Sequence, residues 1–103
     1  MKLEEIKETC KAAVRVFGTR SQIWKSVEEM GELTTALMRF PDRGSVDDVI
    51  TEIADVMITV SQLALMFGEK RVMDEVEYKI ERLQSRIEQE ETLQKQLKDY
   101  YGN

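Results

Sequence analysis

Apolar residues recur at steps of three and four along most of this chain, which is the spacing of one face of an α-helix. The first such run consists of Leu3, Ile6, Cys10, Ala13, Val14 and Phe17, with Gly18 as the expected stop. The second run consists of Ile23, Val27, Met30, Thr34 and Leu37 and ends at Phe40, before Pro41. Ser21 is the expected N-terminal cap of this second helix.

Two further helices are predicted after a loop at residues 41–45. Ser45 and Asp48 resemble a capping box, so the third helix should run from residue 46 to 67 and stop at Gly68. The fourth should begin near Glu69 or Lys70, with an apolar stripe of Val72, Val76, Ile80, Leu83 and Ile87. That stripe loses phase at Glu90, so the tail at about 90–103 is expected to pack on a partner subunit or to fray. The pattern predicts an all-α four-helix bundle in a single domain, residues 1–103.

The third helix is apolar around most of its circumference, and its polar residues share one narrow seam. The seam consists of Asp48, Thr51, Glu52, Asp55, Thr59 and Gln62. A helix that is apolar on so many sides is mostly buried. Burial of the charged Glu52 and Asp55 side chains would then cost free energy unless they are paired or bind a metal. A seam that simply faces solvent is the alternative.

The second helix has a charged face opposite its apolar stripe, made of Lys25, Glu28, Glu29, Glu32 and Arg39. Taken alone, this face looks like an ordinary solvated one. If the two helices are antiparallel neighbours, however, Glu29 and Glu32 would oppose Glu52 and Asp55. Four clustered carboxylates repel one another unless cations neutralise them, and Mg²⁺ prefers carboxylate and phosphate oxygens. We therefore predict a Mg²⁺ site, with Mn²⁺ as a substitute, raised carboxylate pKa values and lower stability without metal.

Composition narrows the classes of function. The chain has 103 residues, 42% hydrophobic and 34% charged, which suits one globular helical domain. A net charge of −5 argues against nucleic acid polymers as partners. The absence of histidine excludes Ser-His-Asp catalysis and histidine-ligated zinc, so acid–base work would fall to Asp or Glu.

The expected location is the cytoplasm. Cys10 is the single cysteine, so no intramolecular disulfide forms and a reducing compartment is the simplest interpretation. No secretory signal pattern is visible, because charged residues begin at Lys2. The longest apolar run, residues 53–65, is interrupted by Asp55 and other polar residues, so no membrane partner is expected.

Two spaced motifs resemble the signature of the MazG-like all-α nucleoside triphosphate pyrophosphohydrolases. Glu28, Glu29 and Glu32 form Glu-Glu-x-x-Glu, and after residues 33–51 Glu52 and Asp55 form Glu-x-x-Asp. Three shorter similarities accompany them: Gln22-x-x-Lys25, Ile53-Ala54-Asp55-Val56 and Lys79-x-x-Arg82. The resemblance covers roughly residues 17–87, and this chain looks like a compact version without the extra segments of some members.

The resemblance implies an Mg²⁺-dependent enzyme that hydrolyses a ribo- or deoxynucleoside triphosphate to the monophosphate and pyrophosphate. By position, the metal ligands would be Glu29, Glu32, Glu52 and Asp55. Glu28 would be an auxiliary catalytic carboxylate beside Glu29. The substrate-binding residues would be Lys25, Lys79 and Arg82 for the triphosphate and Trp24 for the base.

Each of these substrate-binding residues also has a plainer interpretation. Lys25 could pair with Glu29 and Lys79 with Glu75, one helical turn away in each case. Arg82 has no carboxylate at three or four residues, so it is either solvated or paired with another helix. Trp24 could belong to the core or to a subunit interface.

The third helix has too much apolar surface for three neighbouring helices to cover. We therefore expect a homo-oligomer. The resemblance implies dimers or tetramers, and of these we expect a homo-tetramer, otherwise a homodimer. Two alternatives to an enzyme remain: a non-catalytic helical interaction module and a divalent-metal-binding protein without turnover. Within the enzyme class, a non-nucleoside pyrophosphate substrate is a further alternative.

Overall fold

The computed structural model describes residues 1–102, which are helical almost throughout. The helices are α1 (Leu3–Phe17), α2 (Thr19–Arg39), α3 (Val46–Phe67) and α4 (Glu69–Tyr101). Residues 1–102 contain no strand. The predicted all-α class and the helical bundle are therefore confirmed.

Gly18 separates α1 from α2 without a loop. Its backbone has a φ of 91°, a conformation that favours glycine. Its N–H donates to the carbonyl of Val14 at 2.9 Å, and its own carbonyl accepts from the N–H of Gln22 at 3.1 Å. One residue thus ends α1 and begins α2. The prediction that Ser21 caps α2 is wrong, because α2 has already begun at Thr19.

The α3 helix begins and ends where its sequence predicts. The N–H of Asp48 donates to the Ser45 hydroxyl oxygen at 3.0 Å, so Ser45 is the N-terminal cap. At the other end, the N–H of Gly68 donates to the carbonyl of Ala64 at 3.0 Å. These contacts satisfy backbone groups that a helix end otherwise leaves without partners.

The connection between α2 and α3 is a tight turn closed on one carbonyl. The Arg39 oxygen accepts from the N–H groups of Asp42, Arg43 and Gly44 at 3.2, 3.0 and 2.9 Å. A Cβ atom on Gly44 would lie 2.6 Å from the Cα of Phe40, closer than any real contact. A side chain at position 44 would therefore force the backbone of the turn to shift. This turn sets how α3 returns along α2.

The chain divides into two units, and each is described by itself. Residues Met1–Glu69 form the first unit, in which α1, α2 and α3 pack together and α2 and α3 make the most extensive contact. The second unit begins at Lys70 and contains most of α4, which continues as helix past Glu90 to Tyr101. The single domain and the role of the tail, whose last residue lies outside the described range, stay predictions.

The first unit buries polar side chains between its helices. The residues buried in the single chain are Cys10, Gln22, Ser26, Glu29, Thr59 and Gln62. Cys10 is the apolar member of this set within residues 1–102. By contrast, Val27 and Met57 are 55% and 66% exposed. The polar seam of α3 therefore faces inward around Thr59 and Gln62, and the solvent-facing alternative is wrong there.

The α3 helix is also the one helix of residues 1–102 that is long and apolar enough to cross a membrane. Its mean hydropathy is 1.6 over the most apolar window. Core helices of soluble proteins satisfy the same criterion, so length and apolar composition alone do not identify α3 as a membrane span. The absence of a membrane partner and the cytoplasmic location stay predictions.

Candidate metal centre

The α2 and α3 helices bring four carboxylates to one point. One oxygen from each of Glu29, Glu32, Glu52 and Asp55 lies within 4.8 Å of the others. Each helix supplies a pair separated by three residues, so both members of a pair project from the same face. Glu29 is buried, Glu52 and Asp55 are half-buried, and Glu32 is exposed. The centre therefore opens to solvent on the side of Glu32.

Two of the carboxylate oxygens are buried without a hydrogen-bond partner among residues 1–102. They are Oε2 of Glu29 and Oε2 of Glu52. A buried charged oxygen that has no partner costs free energy, which a bound cation would offset. Clustered carboxylate oxygens are the ligands that Mg²⁺ and other hard cations prefer. The residues present thus fit a divalent hard cation in both donor type and spacing.

The electrostatics of the centre follow from this crowding. The charge of Glu29 raises the pKa of the Glu32 carboxyl, and desolvation by its neighbours and the charge of Glu52 raise it further. The Nζ of Lys25 lies 3.0 Å from Oε1 of Glu29, and their hydrogen bond, with the charge of Glu28, raises the pKa of Lys25. The predicted Lys25–Glu29 pair is confirmed. It neutralises one oxygen of Glu29 and leaves the other free.

One cleft, which we call the arginine cleft, extends from the carboxylates toward the α2–α3 turn. Its volume is about 740 Å³, within the range of small-molecule sites. It is lined by Glu28, Gly31, Glu32, Thr35, Ala36, Arg39, Arg43, Gly44, Asp48 and Glu52. Four carboxylates and two arginines share this lining, a combination that suits an anion complexed with a metal.

A second cleft, which we call the tryptophan cleft, lies on the other side of the carboxylates and has a volume of about 550 Å³. It is lined by Ala13, Phe17, Ser21, Gln22, Trp24, Lys25, Glu28, Glu29, Asp55, Ile58, Thr59 and Gln62. Trp24 is 63% exposed, so its ring is not part of the core of the single chain. Aromatic and amide groups together offer both stacking and hydrogen bonding to a planar ligand.

Gln62 is a residue whose part in this cleft sequence reasoning missed. It was assigned to the polar seam without a role, yet it is 6% exposed and its Oε1 has no hydrogen-bond partner within the described part of the chain. Thr59, one turn earlier, instead donates from its hydroxyl to the carbonyl of Val56 at 3.0 Å. The position of Gln62 seven residues after Asp55, on the same face, is the signal that could have revealed it.

Lys79 and Arg82 lie on α4, in the unit that begins at Lys70. The Arg82 guanidinium lies 5.8 Å from the ring centroid of Tyr78, a cation–π distance. Sequence reasoning searched that position only for a carboxylate and so missed Tyr78. Lys79 and Glu75 form no ion pair within residues 1–102, so that alternative is wrong. A contact of Lys79 and Arg82 with substrate stays a prediction.

Arg39 and Arg43 were also missed as candidate site residues. Arg39 was assigned to the charged face of α2, and Arg43 was treated only as part of a loop. The turn closed on the Arg39 carbonyl places both arginines along the same cleft. Their spacing of four residues across Pro41 and before Gly44 is the available sequence signal.

Comparison with known proteins adds no relative: no family model, curated protein or solved structure matches this chain. The arrangement of the carboxylates and the two clefts therefore rests on the residues of this chain alone. Membership of the MazG-like family stays a prediction that rests on the quoted motifs.

Proposed function

We propose that this chain is a MazG-like nucleoside triphosphate pyrophosphohydrolase that uses Mg²⁺. The observation that carries the proposal is the cluster of Glu29, Glu32, Glu52 and Asp55, with oxygens within 4.8 Å of one another. Two of its buried oxygens lack partners among residues 1–102, as expected of a cation site. The cluster also lies where two clefts meet, one polar and one partly aromatic.

The reaction is hydrolysis at the α-phosphorus. Water forms a new bond to this phosphorus, and the bond to the oxygen that bridges to the β-phosphorus breaks. Pyrophosphate leaves with the electron pair, and Glu28, which lines both clefts, accepts the proton from water. Bound Mg²⁺ would polarise phosphate oxygens and neutralise charge that develops as pyrophosphate leaves.

The remaining residues position the substrate. Glu29, Glu32, Glu52 and Asp55 would hold the cation through their oxygens. Lys25 orients Glu29 through their 3.0 Å ion pair and offers its charge to the phosphates. Trp24 stacks on the base in the tryptophan cleft. Lys79 and Arg82 are proposed to contact the triphosphate.

The proposed assembly is a bundle of the MazG type completed by subunit packing, as a homo-tetramer or otherwise a homodimer. Its support is the apolar outer surface of the first unit. Ile53, Met57 and Val60 of α3 are 42%, 66% and 44% exposed in the single chain. Isologous contact with a second copy would remove this surface from water.

The decisive experiment measures pyrophosphate release with Mg²⁺ across ribo- and deoxynucleoside triphosphates and non-nucleoside pyrophosphates. Wild type is compared with Glu52→Gln, which removes the charge of a ligand but keeps its shape. Because loss of indirect metal-site partners already costs about 10–100-fold, loss of a ligand should cost at least about 100-fold. Asp47→Asn is the control, because Asp47 is an exposed acid in the first turn of the same helix.

Release that requires both Mg²⁺ and Glu52, with monophosphate as the second product, would support the proposal and identify the substrate class. Release that is equal in Glu52→Gln and wild type would contradict the assigned site. No release of pyrophosphate from any substrate by folded, oligomeric protein would contradict the activity itself.

A divalent-metal-binding protein without turnover is the second candidate. The same buried, unpartnered oxygens of Glu29 and Glu52 favour it. It predicts that Mg²⁺ stabilises wild type but not Glu52→Gln, with no pyrophosphate release. A non-catalytic helical interaction module, by contrast, predicts neither stabilisation by Mg²⁺ nor turnover.

A further inference from the structure

We infer that Arg39 and Arg43 bind the departing pyrophosphate, so that the arginine cleft holds the β- and γ-phosphates and the tryptophan cleft holds the nucleoside. The inference rests on the proposed function and assigns a direction to the substrate across the carboxylates. The two arginines that would bind pyrophosphate belong to the first unit, which also contains the four carboxylates.

The first argument is the arrangement of charge in the arginine cleft. Its lining combines Arg39 and Arg43 with Glu32 and Glu52 of the metal centre. Glu28 and Asp48 are the other acids of this lining. Neither arginine forms an ion pair within residues 1–102, so both guanidinium groups are free to bind an anion. A guanidinium group donates paired hydrogen bonds to phosphate oxygens, which a lone positive charge does not do.

The second argument is distance. Arg39 follows Glu32 by seven residues on α2, which corresponds to about 10 Å along the helix axis. An extended arginine side chain together with a diphosphate group spans such a distance. The turn closed on the Arg39 carbonyl then keeps Arg43 beside Arg39, because Arg43 and Gly44 both donate to that oxygen.

The third argument is the contrast with the other cleft. The tryptophan cleft contains Trp24 and the buried, unpartnered Oε1 of Gln62, which suit an aromatic ring with a hydrogen-bond donor. Its cation Lys25 already pairs with Glu29. The free positive charge of the two clefts is thus concentrated in the arginine cleft.

The chemistry gives the arginines their role. As the bond between the α-phosphorus and the bridging oxygen breaks, the electron pair moves onto pyrophosphate, and Glu28 accepts the proton of the attacking water. The two guanidinium groups stabilise the charge that pyrophosphate gains. Asp48 and the carboxylates in the same cleft repel a free anion, so pyrophosphate should bind only together with Mg²⁺.

The test measures binding of products by calorimetry, independently of turnover. Pyrophosphate and the nucleoside monophosphate are titrated separately, with Mg²⁺, into wild type, Arg39→Met and Arg43→Met. We expect each substitution to weaken pyrophosphate binding at least about tenfold, because each removes charged hydrogen bonds, and to leave monophosphate binding unchanged. Arg39→Lys and Arg43→Lys should lie in between, because lysine keeps the charge without the planar fork.

Arg20→Met is the matched control, because Arg20 lies on α2 and is exposed but lines neither cleft. Trp24→Ala should show the reverse pattern, with weaker monophosphate binding and unchanged pyrophosphate binding. Thermal melting of every variant verifies that the fold is intact.

The outcomes separate this inference from the proposed function. Wild-type turnover with pyrophosphate binding equal in Arg39→Met, Arg43→Met and Arg20→Met would overturn the inference alone. Arginine-dependent pyrophosphate binding without turnover of any nucleotide would support the anion site and overturn the proposed function. Neither binding nor turnover by wild type would overturn both.

Discussion

The inward and outward faces of α2 and α3 contrast with the usual distribution in a soluble bundle. The interface between the helices buries Gln22, Ser26, Glu29, Thr59 and Gln62, all of them polar. The outward faces expose Val27, Met57 and other large apolar residues. In the single chain, therefore, Glu29 and Gln62 have buried oxygens without hydrogen-bond partners among residues 1–102, and large apolar side chains are exposed to water. Each arrangement costs free energy.

Under the proposed function, each of these faces would bind a partner of different chemistry. The inner face has two buried oxygens that lack partners in the described chain, and a divalent cation would satisfy them. The outer face has apolar surface that a second copy of the chain would cover. Substitutions on the two faces should therefore differ in their effects on assembly, stability and metal binding.

The largest effect on folding and assembly is expected from a charge on the outward face of α3. Met57→Glu should dissociate the proposed oligomer, because an interface on this face would bury an unpaired charge at a cost of several kcal/mol. Light scattering measures the mass, and thermal melting measures the loss of stability. Thr9→Glu, at an exposed polar position of α1, is the control.

If Met57→Glu has the same mass and melting temperature as wild type, the outward face of α3 faces solvent in the working protein. A substitution at an exposed position usually changes stability by less than about 0.5 kcal/mol. That result would leave the polar inner face as the only unusual feature.

The second effect is expected from Mg²⁺ at the inner face. At a concentration 100-fold above its Kd, Mg²⁺ should stabilise the folded protein by about 2.7 kcal/mol, because it binds the assembled carboxylates and not the unfolded chain. Melting in Mg²⁺ against EDTA measures this shift. Glu52→Gln should abolish the shift yet raise stability in EDTA, because it removes one of four repelling charges.

An unchanged melting temperature on addition of millimolar Mg²⁺ would count against the metal centre. The contact between α2 and α3 would then hold four carboxylates without a metal, and Lys25 would neutralise part of their charge through its ion pair with Glu29. In that case Lys25→Met should lower the stability of the metal-free protein, whereas Glu52→Gln should still raise it.

The third effect concerns the turn that sets how α2 and α3 face each other. Gly44→Ala should destabilise the protein by about 1–3 kcal/mol, because its Cβ would lie 2.6 Å from the Phe40 backbone and force the turn to shift. Urea unfolding measures the difference. Activity should fall with stability, since the turn also positions Arg39 and Arg43.

Gly31→Ala is the matched control for Gly44→Ala. Position 31 lies within α2, and a Cβ atom there would meet no neighbouring side chain or other element within 4 Å. Alanine should therefore stabilise the helix by about 0.5–1 kcal/mol. Equal effects of the two substitutions would contradict the close approach at Gly44.

The smallest effect is expected at Cys10, which is 3% exposed. Burial raises the pKa of its thiol, so the reactive thiolate is scarcer in the folded protein than in the unfolded chain. Alkylation at pH 8 should be at least about tenfold slower in buffer than in urea, because reaction requires local opening. Equal rates would show that the α1 packing is loose.

Much of the fold could be predicted from periodicity and caps. The bounds of α3 follow from Ser45 and Gly68, and those of α1 follow from its apolar spacing and Gly18. Ser21 was assigned wrongly because a hydroxyl near a helix start favours a cap, whereas Gly18 already opens α2. The preference of serine for the N-cap position has no effect here, because Gly18 already separates the two helices.

Part of the candidate site was also predictable. The spacing within Glu29–Glu32 and Glu52–Asp55 implies two pairs on helix faces, and their meeting is confirmed by oxygens within 4.8 Å of one another. For Arg39, Arg43 and Gln62 the spacing is a weak signal, because one arginine lies in a turn and a glutamine in a seam resembles any polar residue. Their lining of the two clefts became visible only in the tertiary structure.

By itself, the sequence determined the four helices, the ends of α1 and α3, and the pairing of acids on α2 and α3, because these depend on contacts within a few residues. Only the tertiary structure decided which faces of α2 and α3 meet, which oxygens are left without partners and where two clefts join. Those features depend on the path of the α2–α3 turn and on side chains distant along the chain. Periodicity separates two faces of a helix, but it does not reveal which of them packs against a neighbouring helix.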